Sequence, residues 1–289
     1  LGLGYTNRNP PLATSRKIAK VPISSVNGLY NGSLTTVPAN FLSALRTPIH
    51  PNGLPADGNG AVIDPTTGSF RATTQNDLFN TNLGTYFMTP LERFNVYAAG
   101  RYEITDNIEV YSSAMFARNK ATLQLASSGT FGNTFQLPLN NPYLPVAARN
   151  QLCAATDSNP AVAGIQPIDP AACAAAAVVI GGEGTPGYLE IPAIPSRRFT
   201  EYGPRTNPIE STMFQVQTGL RGNITDSIRF DISAQYGETS QNQQQGNWGS
   251  SSKVQQALRA YDSNGAAPGG LVCSNTANGC VPLNLFGPE

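Results

Sequence analysis

A segment of alternating residues occurs twice in this chain, and it constrains the fold more than any other feature. The stretch from Phe94 to Phe116 aligns without a gap with the stretch from Phe214 to Tyr236, 120 positions later. Each copy has two alternating runs around a short Ile-Thr-Asp turn. Alternating runs that flank a tight turn are typical of a β-hairpin. The sequence therefore predicts two hairpins, around residues 94–116 and 214–236.

The alternation assigns the side chains of each hairpin to two faces, because successive residues of a strand point to opposite sides of a sheet. In the first strand of each copy the even positions are mostly apolar: Phe94, Val96, Ala98, Gly100, Tyr102 and Ile104, and then Phe214, Val216, Thr218, Leu220, Gly222 and Ile224. Most odd positions carry polar side chains, among them Arg101, Gln215, Gln217 and Arg221. Pairing centred on each turn predicts Arg101 opposite Tyr111, and Arg221 opposite Asp231.

Three details favour lipid on the apolar face and water on the polar face. The polar face is rich in Gln, Asn and Arg, and aromatic residues occur at both ends of the apolar face. The ten steps from Phe94 to Ile104 span roughly 33 Å at strand rise, or roughly 25 Å when tilted, which is the height of the apolar band of an outer-membrane barrel. These details predict a transmembrane β-barrel. A soluble β domain that shares the alternation is the alternative.

The composition excludes several other classes of protein. Lys+Arg and Asp+Glu both number 18, so there is no electrostatic case for a nucleic-acid partner. No run of apolar residues approaches the 18 or more that a membrane-spanning helix needs. A single histidine, His50, and scattered serines offer no nucleophile–base pair, so we predict neither an enzyme nor a metal or cofactor site.

The four cysteines occur as two close pairs, each within a segment rich in Gly, Pro, Ala and Asn. Neither pair has the Cys-x-x-Cys spacing of zinc or redox motifs. Disulfides in an oxidising compartment explain this arrangement better. We predict that Cys153 bonds to Cys173, and that Cys273 bonds to Cys280.

Long loops and tight turns alternate along the chain. Turn-rich segments at about 9–74, 126–196 and 246–289 are predicted to be long loops between strands. The predicted strands include one from Gln75 to Ile104, interrupted at Pro90, and one from Arg197 to Ile224. Short turns on one side and long loops on the other are typical of outer-membrane barrels. About five strands are too few for a large barrel, so the chain is predicted to be a section of one.

Several motifs, in order along the chain, resemble those of TonB-dependent outer-membrane receptors, most closely the large, long-looped receptors of proteobacteria. They are Thr89-Pro90-Leu-Glu92-Arg93-Phe94, Arg101-Tyr-Glu-Ile-Thr-Asp106, Arg197-Arg198-Phe-Thr-Glu201-Tyr-Gly203-Pro204-Arg205, Asp231-Ile-Ser-Ala234-Gln-Tyr236-Gly237 and Gly279-Cys280-Val281-Pro282-Leu283-Asn284-Leu285-Phe286-Gly287. The resemblance implies a 22-stranded barrel closed by an N-terminal plug, with uptake powered through TonB. Residues 1–289 would then be a partial barrel domain without the plug.

The resemblance implies the function and the partners. The expected protein captures a scarce nutrient and imports it across the outer membrane of a Gram-negative bacterium, with its loops outside the cell. Its expected partners are outer-membrane lipid, the remaining strands and plug of the same receptor, TonB through that plug, and an unknown nutrient. The polar residues of the hairpins are expected to face the lumen, where they contact either the plug or the nutrient: Arg101, Gln215, Gln217, Arg221 and Asp231. The alternative is a passive porin or an adhesin-like barrel.

Overall fold

The structure, a computed structural model, describes residues 1–42, 60–156, 158, 166–265 and 270–287. These residues are mostly β, in antiparallel sheets, and the all-β class is confirmed at that level. The described strands are β1 (Gly2–Arg8), β2 (Asn40–Leu42), β3 (Ala61–Ile63), β4 (Phe70–Ala72), β5 (Leu91–Thr105), β6 (Ile108–Ser127), β7 (Phe135–Pro138), β8 (Glu190–Ser196), β9 (Pro204–Thr225), β10 (Ile228–Gln243), β11 (Ala260–Asp262) and β12 (Leu271–Cys273). The described α-helices are α1 (Val146–Ala155), α2 (Pro170–Ala177) and α3 (Ser251–Leu258). His50 lies outside the described residues.

The chain divides into two compact units. The first unit comprises Leu1–Lys20, Asn82–Ala126 and Pro204–Gly246. The second comprises Val21–Thr81, Ser127–Gly203 and Asn247–Glu289. The second unit therefore collects most of the three segments that were predicted to be long loops.

The first unit is a five-stranded antiparallel sheet in the order β1-β5-β6-β9-β10. Its two hairpins are those that the repeat predicts, and their strands are long, from 15 residues in β5 to 22 in β9. The register pairs Arg101 with Tyr111 and Arg221 with Asp231. Both predicted pairings are therefore confirmed. They could be predicted because the turn of a hairpin fixes the register of its two strands.

Both hairpin turns lie at the same end of this sheet. The Asn223 amide, at the end of β9, donates a hydrogen bond of 3.0 Å to the Asn107 carbonyl in the β5–β6 turn. Thr105 and Thr225 close the two turns alike, since each hydroxyl accepts a 3.3 Å hydrogen bond from the amide two residues later. The long connections leave from the opposite strand ends, as predicted.

The sheet of the first unit is open. Its edge strands, β1 and β10, do not pair with each other within the described residues. A small barrel closed on itself would require that pairing. The arrangement agrees with the predicted open section of about five strands.

Two strands begin later in the structure than the sequence predicts. The strand predicted from Gln75 begins at Leu91, directly after Pro90, and Gln75–Asp77 is a 3-10 helix with a capping box between Thr74 and Asp77. The strand predicted from Arg197 begins at Pro204. Gly203 precedes it with a φ of 72°, in the left-handed region, where an extended strand is interrupted.

The second unit has a sheet and a core of its own. Its short strands form a second antiparallel sheet in the order β4-β3-β2-β8-β7. Phe41 anchors the core, with its ring centroid 4.9 Å from that of Phe70 and 5.9 Å from that of Phe286. Leu137, Leu139 and Leu285 are fully buried beside these rings. None of the helices in the described ranges is long and apolar enough to cross a membrane.

Both predicted cysteine pairs are bonded in the structure. The bond from Cys153 to Cys173 joins α1 to α2, and the bond from Cys273 to Cys280 joins β12 to the segment that follows it. The Cα–Cα separations are 6.3 and 6.2 Å, within the usual range for disulfides. Each bond therefore cross-links two segments of the second unit.

Candidate functional site

Most large side chains on the apolar face of the first unit are exposed. The exposed ones retain between 36% (Phe116) and 71% (Ile232) of their accessible surface, and Val96, Val110 and Phe230 are half-buried. Others on this face are Leu3, Tyr5, Phe94, Tyr102, Ile104, Val216, Leu220, Ile224 and Ile228. A water-soluble monomer rarely exposes a contiguous apolar area of this kind. We therefore expect another apolar surface to cover this face.

Aromatic rings form a row across one end of the apolar face. The ring centroids of Phe94 and Phe116 are 6.3 Å apart, and those of Phe214 and Tyr236 are 5.7 Å apart. Tyr5 on β1 pairs with Phe94 in the register. The row thus extends from one edge strand to the other.

Charged side chains follow the aromatic row on the same face, farther from the turns. The Arg118 Nε donates to the Glu210 Oε1 at 2.7 Å, and the Lys120 Nζ is 3.8 Å from the Glu210 Oε2. Arg118 and Lys120 are separated from Phe116 by two and four residues on β6, so all three share one face. The apolar band therefore ends in aromatic rings and then in ion pairs.

A cluster of ionic and aromatic groups occupies the opposite, polar face of the sheet. The Arg221 Nε donates to the Glu109 Oε1 at 2.7 Å, and the Tyr111 hydroxyl donates to the Asp231 Oδ1 at 2.6 Å. The Arg221 guanidinium also lies 5.3 Å from the centroid of the Tyr111 ring. Arg101 approaches Glu109 more loosely, at 4.0 Å. Three of the sequence-predicted residues, Arg101, Arg221 and Asp231, thus belong to one network across β5, β6, β9 and β10.

Sequence reasoning missed the partners that β6 contributes to this network. The predicted register placed Arg221 opposite Asp231, but the Arg221 side chain binds Glu109, and Asp231 accepts from Tyr111. The register between β6 and β9 spans a connection of dozens of residues, so no turn reveals it. Gly219 is a sequence signal of this contact between β6 and β9. A Cβ there would lie 2.5 Å from the Tyr111 ring, so only glycine leaves room for it.

Gln215 and Gln217 continue the polar face along β9, beyond the ionic cluster. They pair in the register with Gly237 and Gln235 and are partly exposed. The structure therefore places all five predicted polar residues on one face of the sheet. It brings Arg101, Arg221 and Asp231 together and leaves the two glutamines along the strand.

The second unit contains a cavity of about 480 Å³. Its walls are largely apolar and include two aromatic residues, Tyr143 and Phe286. The other apolar positions on its walls include Val37, Pro38, Ile63 and Pro145. One part is charged, where Arg71 lies between Asp64 and Asp77. Sequence reasoning missed this cavity because its walls come from four separate chain segments.

Of the two carboxylates in the cavity, Arg71 donates hydrogen bonds only to that of Asp77. Its NH1 and NH2 donate to the two Asp77 oxygens at 2.8 and 2.7 Å, which holds the pKa of Asp77 well below its usual range. The Asp64 Oδ1 accepts the Thr66 and Thr67 amides at 2.8 and 3.1 Å, and these hydrogen bonds lower the pKa of Asp64. Both carboxylates are therefore ionised at neutral pH, and the three groups carry one net negative charge.

We expect Asp77→Asn to destabilise the second unit by about 2 kcal/mol, because a bidentate, charge-assisted contact with Arg71 is lost. A carboxylate with a lowered folded pKa contributes stability that is fully present above its unfolded pKa, 3.8. That stability is lost as the pH falls through the lower, folded pKa. Wild-type protein should therefore lose stability between about pH 5 and pH 2, and the variant should lose less.

Thermal unfolding at several pH values measures this effect. Glu183→Gln is the control, since Glu183 pairs with Arg259 at 2.9 Å but remains 70% exposed. An exposed pair of that kind contributes about 0–1 kcal/mol. Equal pH profiles for wild type and Asp77→Asn would contradict the assignment.

Arg197 and Arg198 are buried in the second unit, each with 3% exposure. Arg198 donates to the Ser127 carbonyl and to the Ser33 hydroxyl, both at 2.8 Å. Its guanidinium lies 5.0 Å from the Phe79 ring centroid and 5.2 Å from that of Phe131. Arg197 donates to Glu201 at 2.8 Å. This part of the Arg-Arg-Phe-Thr-Glu motif therefore holds the second unit together.

Neither a scan against models of known protein families nor a search of curated proteins finds a match for this chain. Among the residues that the structure describes, no group of three or more His, Cys, Asp or Glu side chains is placed to hold a metal ion. The functional argument therefore rests on the two faces of the sheet and on the cavity of the second unit.

Proposed function

We propose that this chain is a section of the barrel of an outer-membrane active-transport receptor of the TonB-dependent kind, which captures a scarce nutrient outside the cell. In this proposal the first unit is part of the barrel wall. The second unit is built from the extracellular loops. The motifs that resemble this family support the assignment to active transport.

The observation that carries the proposal is the exposed apolar face of the first unit, bounded by aromatic rings and then by ion pairs. Outer-membrane barrels have an apolar band of about 25 Å with aromatic girdles at the interfaces. Contact with hydrocarbon costs such a face no free energy, whereas contact with water is unfavourable. Strands of 15 to 22 residues in the two hairpins are long enough to cross the band at a tilt.

The polar face fits the inside of the same wall. Arg221, Glu109, Tyr111 and Asp231 satisfy one another, and Arg101 keeps 73% of its side-chain exposure. Charged groups of this density would be expensive against lipid but are suited to a hydrated lumen. In the proposal they line that lumen, and Arg101 is available to a plug or a passing solute.

A passive porin or adhesin-like barrel is the competing function. A pore that admits solutes unselectively needs no binding cavity outside the membrane, whereas a receptor for scarce molecules does. The second unit has its own core, two disulfides and a cavity of about 480 Å³, which favours the receptor.

Epitope insertion tests the topology that this proposal requires. A tag in the turn at Asp226 should be inaccessible to antibody on intact cells and should become accessible once the outer membrane is permeabilised. A tag at Gly184, in the second unit, should be accessible on intact cells. Gly184 is exposed and lies in a turn, where an insertion is tolerable. Labelling of Asp226 on intact cells would refute the topology.

Uptake in cells with and without TonB separates the receptor from the porin. Active import should be abolished without TonB, whereas passive permeation should be unchanged. Because both functions place the chain in the membrane in the same orientation, the tag experiment should give the same result for both.

A further inference from the structure

We infer that the cavity of the second unit binds a flat, mostly apolar ring compound that is neutral or carries one positive charge, and that it disfavours anions. The cavity itself is a feature of the second unit. Its role in capturing the transported nutrient rests on the proposed function above.

The size and the walls of the cavity determine the apolar part of this ligand. Its volume of about 480 Å³ lies in the range of small-molecule sites, roughly 300–1,000 Å³. Tyr143 and Phe286 contribute aromatic walls, and Pro38 and Pro145 add rigid apolar ones, so a ring compound can pack against the lining. A flat ring buries more surface against such walls than a flexible chain does, and it loses less conformational freedom.

The charges in the cavity determine the sign of the ligand. The Arg71 guanidinium already donates to Asp77 and to the Ala72 carbonyl, so it has little capacity left for a ligand anion. The Asp64 Oδ2 is 3.8 Å from the Arg71 Nε, which is beyond hydrogen-bond distance. That oxygen can accept from a hydroxyl or ammonium group of a ligand. With one net negative charge, the site repels carboxylates and phosphates.

A matched set of indoles tests both parts of the inference. Tryptamine, tryptophol and indole-3-acetate share one ring and differ in charge, being cationic, neutral and anionic. Binding would be measured by equilibrium dialysis against the purified, detergent-solubilised full chain, with empty micelles as the blank. We expect tryptamine and tryptophol to bind, and indole-3-acetate to bind at least tenfold more weakly than tryptamine.

Two variants locate the binding in this cavity. Asp64→Asn keeps the acceptor for the Thr66 and Thr67 amides but removes the charge, so the preference for tryptamine over indole-3-acetate should fall at least threefold. Asp262→Asn is the control, because the Asp262 Oδ1 accepts the Asn264 amide in a similar turn that does not line the cavity. Val37→Trp should fill the cavity and weaken all three indoles.

The remaining outcomes each contradict the inference. Equal affinities for the three indoles would show partition without a charged site, and preferred binding of indole-3-acetate would reverse the sign. An unchanged preference in Asp64→Asn would exclude this carboxylate, even if Val37→Trp failed to fold. Because these measurements do not involve topology or TonB, their failure would leave the proposed transport function to be judged by the tag and uptake experiments.

Discussion

Replacing Arg198 by methionine should destabilise the second unit by about 3 kcal/mol. Methionine preserves much of the volume, so the loss reports polar contacts rather than a cavity. The Ser127 carbonyl and the Ser33 hydroxyl would each lose a charged donor, and the Phe79 and Phe131 rings would lose the cation between them. Hydrogen exchange of the amides of β8, directly before the arginine pair, measures this stability.

The matched control for Arg198 is Lys253→Met in α3. Lys253 is an exposed cation of the same unit, and such surface changes usually stay within about 0.5 kcal/mol. Arg198→Lys should fall between the two, because an ammonium cannot reproduce a planar fork between two rings. Equal exchange rates in Arg198→Met and wild type would contradict the structural role of the motif.

In the proposed barrel, replacing Leu220 by arginine should impair assembly by about 2–4 kcal/mol, the cost of a cation on a lipid-facing position near mid-membrane. Leu220 lies on the apolar face, opposite Ile232, between the aromatic row and the turn. The yield of folded protein in the outer membrane, read as the heat-modifiable band on a gel, measures the effect.

Gln217→Arg is the control for Leu220→Arg, on the polar face of the same strand. Gln217 is three residues away and pairs with Gln235. In the proposed barrel an added cation there faces the hydrated lumen and should be tolerated. A larger loss for Gln217→Arg than for Leu220→Arg would mean that the two faces have been assigned the wrong way round.

The sheet could be predicted from the sequence because its signals are local. The alternation of β5, β6, β9 and β10 defines two faces, and the two Asp-centred turns fix the register within each hairpin. This local information was sufficient to pair Arg221 with Asp231, and Arg101 with Tyr111. It was also sufficient for the two cysteine pairs, because each spans a short segment.

The second unit and its cavity could not be predicted in the same way. Strands of three residues, such as β2, β3 and β4, are too short to show a period. Their core forms only when Phe41, Phe70 and Phe286 meet from distant parts of the chain. The cavity charges, Asp64 and Asp77, also look like ordinary turn residues in the sequence. Long-range packing, which no local pattern encodes, determined this part of the fold.

The central claim is that one face of the first unit contacts lipid and the other contacts water. Single cysteines at 215, 216, 217, 218, 220 and 221 can carry spin labels, because the native cysteines are bonded in pairs. Accessibility to oxygen, which concentrates in lipid, should peak at 216, 218 and 220, and accessibility to a water-soluble nickel chelate should peak at 215, 217 and 221. Chelate accessibility at all six positions, without a period of two, would contradict the membrane-spanning sheet.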